Sequence, residues 1–72
     1  MAEDDSGDVV VKKFLEYEDL PYVLAKGGKV FRMRFSKSAS RGYVLEEDRT
    51  SRGTDALLKG STIPESEAVA LL

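Results

Sequence analysis

Residues 20–35 read LPYVLAKGGKVFRMRF, and the pair Gly27-Gly28 at their centre decides how the rest of the chain is read. A two-residue hairpin turn of type I′ needs positive φ at both central positions, which glycine reaches without steric cost. Such a turn predicts a hairpin in which Lys26 faces Lys29, Ala25 faces Val30, Leu24 faces Phe31, Val23 faces Arg32, Tyr22 faces Met33 and Leu20 faces Phe35. Side chains alternate between the two faces of a strand. Leu20, Tyr22, Leu24, Phe31, Met33 and Phe35 therefore fall on one apolar face, and Val23, Ala25, Val30, Arg32 and Arg34 on a half-polar opposite face. Because Pro21 has no backbone N–H, the strand that contains it is expected at a sheet edge or to begin near the proline.

Downstream, SKSASRG over residues 36–42 reads as a loop, and YVLEED over residues 43–48 as a third strand. Setting Phe35 opposite Tyr43 brings Met33 to Leu45 and Arg32 to Glu46, which extends the apolar face and gives Arg32 an ion-pair partner. RTSRG over residues 49–53 reads as a second loop, followed by one or two helical turns from Thr54 to Lys59 that Gly60 stops. Thr62 and Glu65 have the spacing of a capping box and Pro64 suits a first turn, so a helix is expected from about Ile63 to the C-terminus. Upstream, VVVKKFLEYED over residues 9–19 is open between strand and helix. The β-branched run favours strand, while Val10, Phe14 and Tyr17 keep helical spacing behind Asp8 as a possible cap. Residues 1–8, MAEDDSGD, have too little apolar surface to offset the entropy of ordering and are expected to form a disordered acidic leader.

The expected architecture is a single α+β domain over residues 9–72. It is a small antiparallel β-meander of three to four strands, centred on hairpin 20–35 and capped by a C-terminal helix. Its core should hold Leu20, Tyr22, Leu24, Phe31, Met33, Phe35, Tyr43 and Leu45, with Val69 or Leu72 above them. At 72 residues one core supplies only about 3–5 kcal/mol, so association is the reinforcement to expect, as a homodimer or in an obligate complex.

The composition excludes several chemistries. With neither cysteine nor histidine there is no disulfide, no zinc site of thiolates or imidazoles, and no Ser-His-Asp or Cys-His constellation. AKGGK lacks the first glycine of a phosphate loop and the Ser/Thr that follows its lysine. Lys37 lies among Ser36, Ser38 and Ser40, but in a polar loop with nothing to desolvate its amine. Asp4, Asp5 and Asp8 lack the spacing of a calcium loop. The reading is therefore non-enzymatic, with no cofactor. No apolar run approaches the roughly 20 residues that span a bilayer, and the acidic N-terminus is unlike a signal peptide, which makes the cytoplasm the default and a membrane partner unexpected.

Charge is arranged in blocks. The chain has 11 Lys and Arg against 13 Asp and Glu, yet residues 26–41 hold Lys26, Lys29, Arg32, Arg34, Lys37 and Arg41 and no acid. Those six are the candidate binding residues, with two targets open. In the first, the chain is a small interaction module of the regulator, antitoxin, adaptor or phage-inhibitor kind. It binds an acidic protein partner through the basic hairpin face or adds a sheet edge to that partner. In the alternative, the six contact nucleic-acid phosphates along a basic β-ribbon.

Overall fold

A computed structural model describes residues 9–72. The expected acidic leader, residues 1–8, lies outside the described residues, as does the aspartate cluster within it. The element order is β1 (Val11–Tyr17), β2 (Leu20–Ala25), β3 (Val30–Phe35), β4 (Tyr43–Glu47), α1 (Ser51–Lys59), β5 (Ser61–Ile63) and α2 (Glu65–Ala70). The five strands form one antiparallel sheet in the order β4-β3-β2-β1-β5. The expected α+β meander with a C-terminal helix is present, widened on one side by β1 and β5.

Residues 11–17 resolve as strand, and the run of valines explains how. Val11 pairs with Ala25 and Lys13 with Leu24, so Lys12 is an extra residue at a β-bulge. Val9 and Val11 pack on the core while Val10 is exposed. Among the described residues, the turn that follows is the one with the I′ signature. Glu18 and Asp19, between the paired residues Tyr17 and Leu20, both have positive φ, 51° and 65°. Their positions are held by the Asp19 N–H, which donates to Glu16 Oε2 at 2.9 Å.

Gly27 and Gly28 also have positive φ, 97° and 91°, but their loop has three residues, not the expected two. The Gly28 N–H donates to Ala25 O at 3.1 Å, and the Ala25 N–H to Lys29 O at 2.8 Å. Positive φ at Gly27 alone within that turn is the type II pattern, and Gly28 supplies the extra left-handed residue that lets the hairpin continue. The consequence is a register one residue from the expected one: Tyr22 pairs with Arg32, Val23 with Phe31 and Leu24 with Val30. Tyr22 and Leu24 therefore lie on one face of the sheet and Phe31 and Met33 on the other, which corrects the single six-residue apolar face.

The slip is tolerated because both faces are covered. On one face, Leu15, Tyr22, Leu24 and Val30 pack with Ala56 of α1. On the other, Val23, Ala25, Phe31, Met33 and Tyr43 pack with Ala68 of α2, joined by Val9, Val11, Phe14, Leu45 and Ile63. β2 is consequently a central strand, buried from Pro21 to Ala25, with the proline near its start as the missing N–H requires. Leu20 and Phe35, both expected in the core, are 42% and 63% exposed. Above the sheet it is Ala68, not Val69 or Leu72, that is buried.

The β3–β4 ladder has the expected register, with Phe35 opposite Tyr43, Met33 opposite Leu45 and Arg32 opposite Glu46. The helices differ from expectation at their starts. α1 begins at Ser51, inside the stretch read as a loop, because Asp48 organises the entry: its Oδ1 accepts from both the N–H and the hydroxyl of Thr50. Gly60 ends α1 as expected, its N–H donating to Ala56 O at 2.9 Å. Thr62 and Ile63 belong to β5, not to a helix, so the capping box does not form and α2 starts after Pro64 without a side-chain cap. α2 is held instead from the sheet, by the Tyr43 hydroxyl donating to Glu65 Oε2 at 2.7 Å.

Candidate functional site

The six candidate basic residues are all exposed, but the fold divides them into three groups. Lys26 and Lys29 flank the turn between β2 and β3, whereas Lys37 and Arg41 lie in the loop between β3 and β4 at the opposite end of the sheet. At about 3.3 Å per residue, β3 keeps these two groups roughly 20 Å apart. Arg32 and Arg34 project between them, from the face that α1 covers.

Those two arginines converge on one carboxylate. Arg32 Nη2 lies 3.4 Å from Glu46 Oε1, and Arg34 Nη1 donates to Glu46 Oε2. The hydrogen bond from Arg34, reinforced by the nearby charge of Arg32, holds the Glu46 carboxyl below the usual carboxylate range. Arg52, which the sequence reading did not single out, lines the same shallow groove as Arg32, Arg34, Leu20 and Tyr22. It donates to Glu18 Oε1 at 3.0 Å. No signal along the chain links residue 52 to residues 18 and 22, since only the crossing of α1 over the sheet brings them together.

A second feature emerges from the ladder. The Asp48 N–H donates to Val30 O at 2.9 Å and the Ser36 N–H to Gly42 O at 3.0 Å. In an antiparallel ladder, residues alternate between those that bond to the neighbouring strand and those that do not. The even-numbered residues of β4 therefore turn their backbone polar groups to β3, and Tyr43, Leu45 and Glu47 turn theirs outward. β4 is the end strand of the sheet, so these three residues present a row of N–H and C=O groups that no strand among the described residues pairs. The opposite edge is β5, with only three residues.

Beside the β4 edge, the face that carries α2 bears two grooves separated by Val9. One is lined by Val9, Ala25, Phe31 and Leu45, with Lys26, Lys29, Glu46 and Glu47 around them. The other is lined by Val9, Val11, Tyr43 and Leu45, with Ser40 and Arg41 at its rim. Leu45, partly buried, belongs to both. The sequence did contain a signal for this edge: once Phe35 is set opposite Tyr43, a following helix leaves β4 without an outer neighbour.

Among the described residues no cluster of His, Cys, Asp or Glu is placed to hold a metal ion, and no helix is long and apolar enough to cross a membrane. Comparison of the chain with protein-family models, with curated proteins and with solved structures returned no match.

Proposed function

We propose that this chain is a non-enzymatic interaction module that binds another protein by accepting an extended strand on β4. The outward backbone row of Tyr43, Leu45 and Glu47 carries the reading. Strand addition draws affinity from main-chain hydrogen bonds and specificity from pockets for alternate side chains. The two grooves that meet at Leu45 are placed to supply those pockets. Arg41 beside one groove favours an acidic residue at that end of the incoming strand, while the other groove, lined by Lys26 and Lys29 together with Glu46 and Glu47, favours a polar residue of either sign. The lack of cysteine and histidine accords with a binding role in a reducing, cytoplasmic setting.

The nucleic-acid reading has the exposure of the six basic residues in its favour. Against it, Glu46 already engages the two central arginines that stand between the end groups. Selection of binders from a random-peptide library, followed by NMR titration of the selected peptide into labelled protein, tests the proposal. Strand addition predicts that the largest amide shifts and the strongest new protection from hydrogen exchange fall on Tyr43, Leu45 and Glu47. Peptide shifts confined to the Gly27-Gly28 turn would sink it. So would salt-dependent binding of a DNA duplex that an Arg32→Glu, Arg34→Glu variant loses, with no effect of peptide on β4.

A further inference from the structure

We infer that the strand received by β4 is β4 of a second copy of this chain, antiparallel about a two-fold axis at Leu45, so that two five-stranded sheets join into one. The inference rests on the reading of β4 as a docking edge and names the partner.

Backbone register limits how two copies can meet. Two copies of β4 can bond only through their outward residues, so Tyr43, Leu45 and Glu47 must meet Tyr43, Leu45 and Glu47 of the other copy. With the axis at Leu45, Tyr43 faces the other copy's Glu47, Leu45 faces Leu45, and every outward N–H and C=O of β4 finds a partner. Moving the axis to Glu46 sets Glu46 against Glu46 and strands Tyr43. An axis at Val44 leaves Glu47 to pair with Arg41, which lies in the loop beyond the strand. The Leu45 register alone uses the whole strand.

Charge favours the same arrangement. An exposed edge is commonly guarded by charges that repel an incoming strand. Here the guards are occupied within the chain: Glu46 is engaged by Arg32 and Arg34, and Glu47 Oε2 is paired with Arg49 at 3.3 Å. In the Leu45 register each acid also faces an uncharged residue, Glu46 opposite Val44 and Glu47 opposite Tyr43. Across the joined sheet on the α1 face, one row reads Arg32, Glu46, then Val44 and Arg34 of the second copy, so opposite charges flank a small apolar residue. On the α2 face the central row reads Met33, Leu45, Leu45, Met33, closing an apolar strip over the axis and bringing together the grooves that share Leu45.

The chain has no cysteine, so a single introduced thiol reports the register directly. Hydrogen-bonded antiparallel pairs have Cα atoms about 5.5 Å apart, within the roughly 4.4–6.8 Å that a disulfide spans. Leu45→Cys should therefore cross-link to itself under mild oxidation. Glu47→Cys should not, since the two positions lie about 13 Å apart along the strands. Should Leu45→Cys fold poorly by circular dichroism, mixed Val44→Cys and Glu46→Cys chains, which face each other, should form the heterodimeric cross-link. Gel filtration with light scattering on the unaltered chain should give twice the monomer mass.

A monomer at every concentration, with no Leu45→Cys cross-link, overturns the self-pairing and leaves strand addition standing if the library peptide shifts β4. A dimer in which neither Leu45→Cys nor the mixed pair cross-links, or in which Glu47→Cys does, overturns the two-fold arrangement. Failure of both the cross-links and the peptide titration removes the docking edge itself.

Discussion

Asp19 sits at φ 65° without being glycine, at the second central position of a type I′ turn, where glycine is the preferred residue. The left-handed region costs an L-residue about 1–2 kcal/mol, and glycine escapes that cost while adding about 0.5–1 kcal/mol of unfolded-state entropy. The bond that holds the turn comes from the Asp19 N–H, which any non-proline residue retains. Asp19→Gly should therefore stabilise the protein by about 0.5–1 kcal/mol, read as a higher urea midpoint with an unchanged slope. Glu46 gives the matching prediction for pH. Its carboxyl titrates below the usual range because of Arg34 and Arg32, so its contribution is present above the unfolded carboxylate pKa and is lost as pH falls through the folded value. Asp48, depressed by its hydrogen bond from Thr50, acts in the same direction. Glu46→Gln should flatten, without abolishing, the fall of the urea midpoint below about pH 4. An unchanged acid limb would show that the exposed arginine pairs contribute nothing measurable.

At the scale of elements, the central place of β2 makes a prediction that a one-faced hairpin would not. Val23 is fully buried beneath Ala68 and Met33, on what a two-residue turn would make the half-polar face. Val23→Ala should cost about 2 kcal/mol, whereas Val10→Ala, at an exposed position, should stay within about 0.5 kcal/mol. Equal effects would argue for a sheet open on one side. The same strand explains what could be read from the sequence. Alternation and glycine placement located β2, β3 and β4, while β1 stayed open between strand and helix, and the β3–β4 register followed because Met33 and Leu45 have one apolar solution. The β2–β3 register did not, because LPYVLA is apolar at both parities and a shift of one residue leaves apolar side chains on either face. Nothing local then separates a two-residue from a three-residue loop at Lys26-Gly27-Gly28. Thr62, Pro64 and Glu65 carried a helix-start pattern, but pairing of residues 61–63 with β1 overrode it. Of the candidate site, the charges and the Arg32–Glu46 pair were legible, but the joining of Arg34 to the same glutamate and the separation of the end groups were not, since both are products of the fold.

For the whole molecule, the question is how so small a chain remains folded. The buried residues form two small clusters, one on each face of the sheet, and the helix contributions to them are single alanines, Ala56 and Ala68. A domain of this size is marginal on its own core, and joining two sheets at β4 would add both backbone pairing and apolar contact at Leu45. If folding and pairing are coupled in this way, stability must depend on concentration, because a partner that binds only the folded chain shifts the unfolding equilibrium by mass action. A tenfold rise in concentration is worth about 1.4 kcal/mol per dimer, hence about 0.7 kcal/mol per chain. For a domain of this length that moves Tm by roughly 3–5 °C. Thermal melts followed by circular dichroism over a hundredfold concentration range should show that slope. Leu45→Lys, which sets two ammonium groups face to face on the axis, should abolish the slope whatever it does to Tm itself. A melt independent of concentration in the unaltered chain would mean that the two alanine-capped clusters suffice, and that β4 is an edge kept open for a different protein.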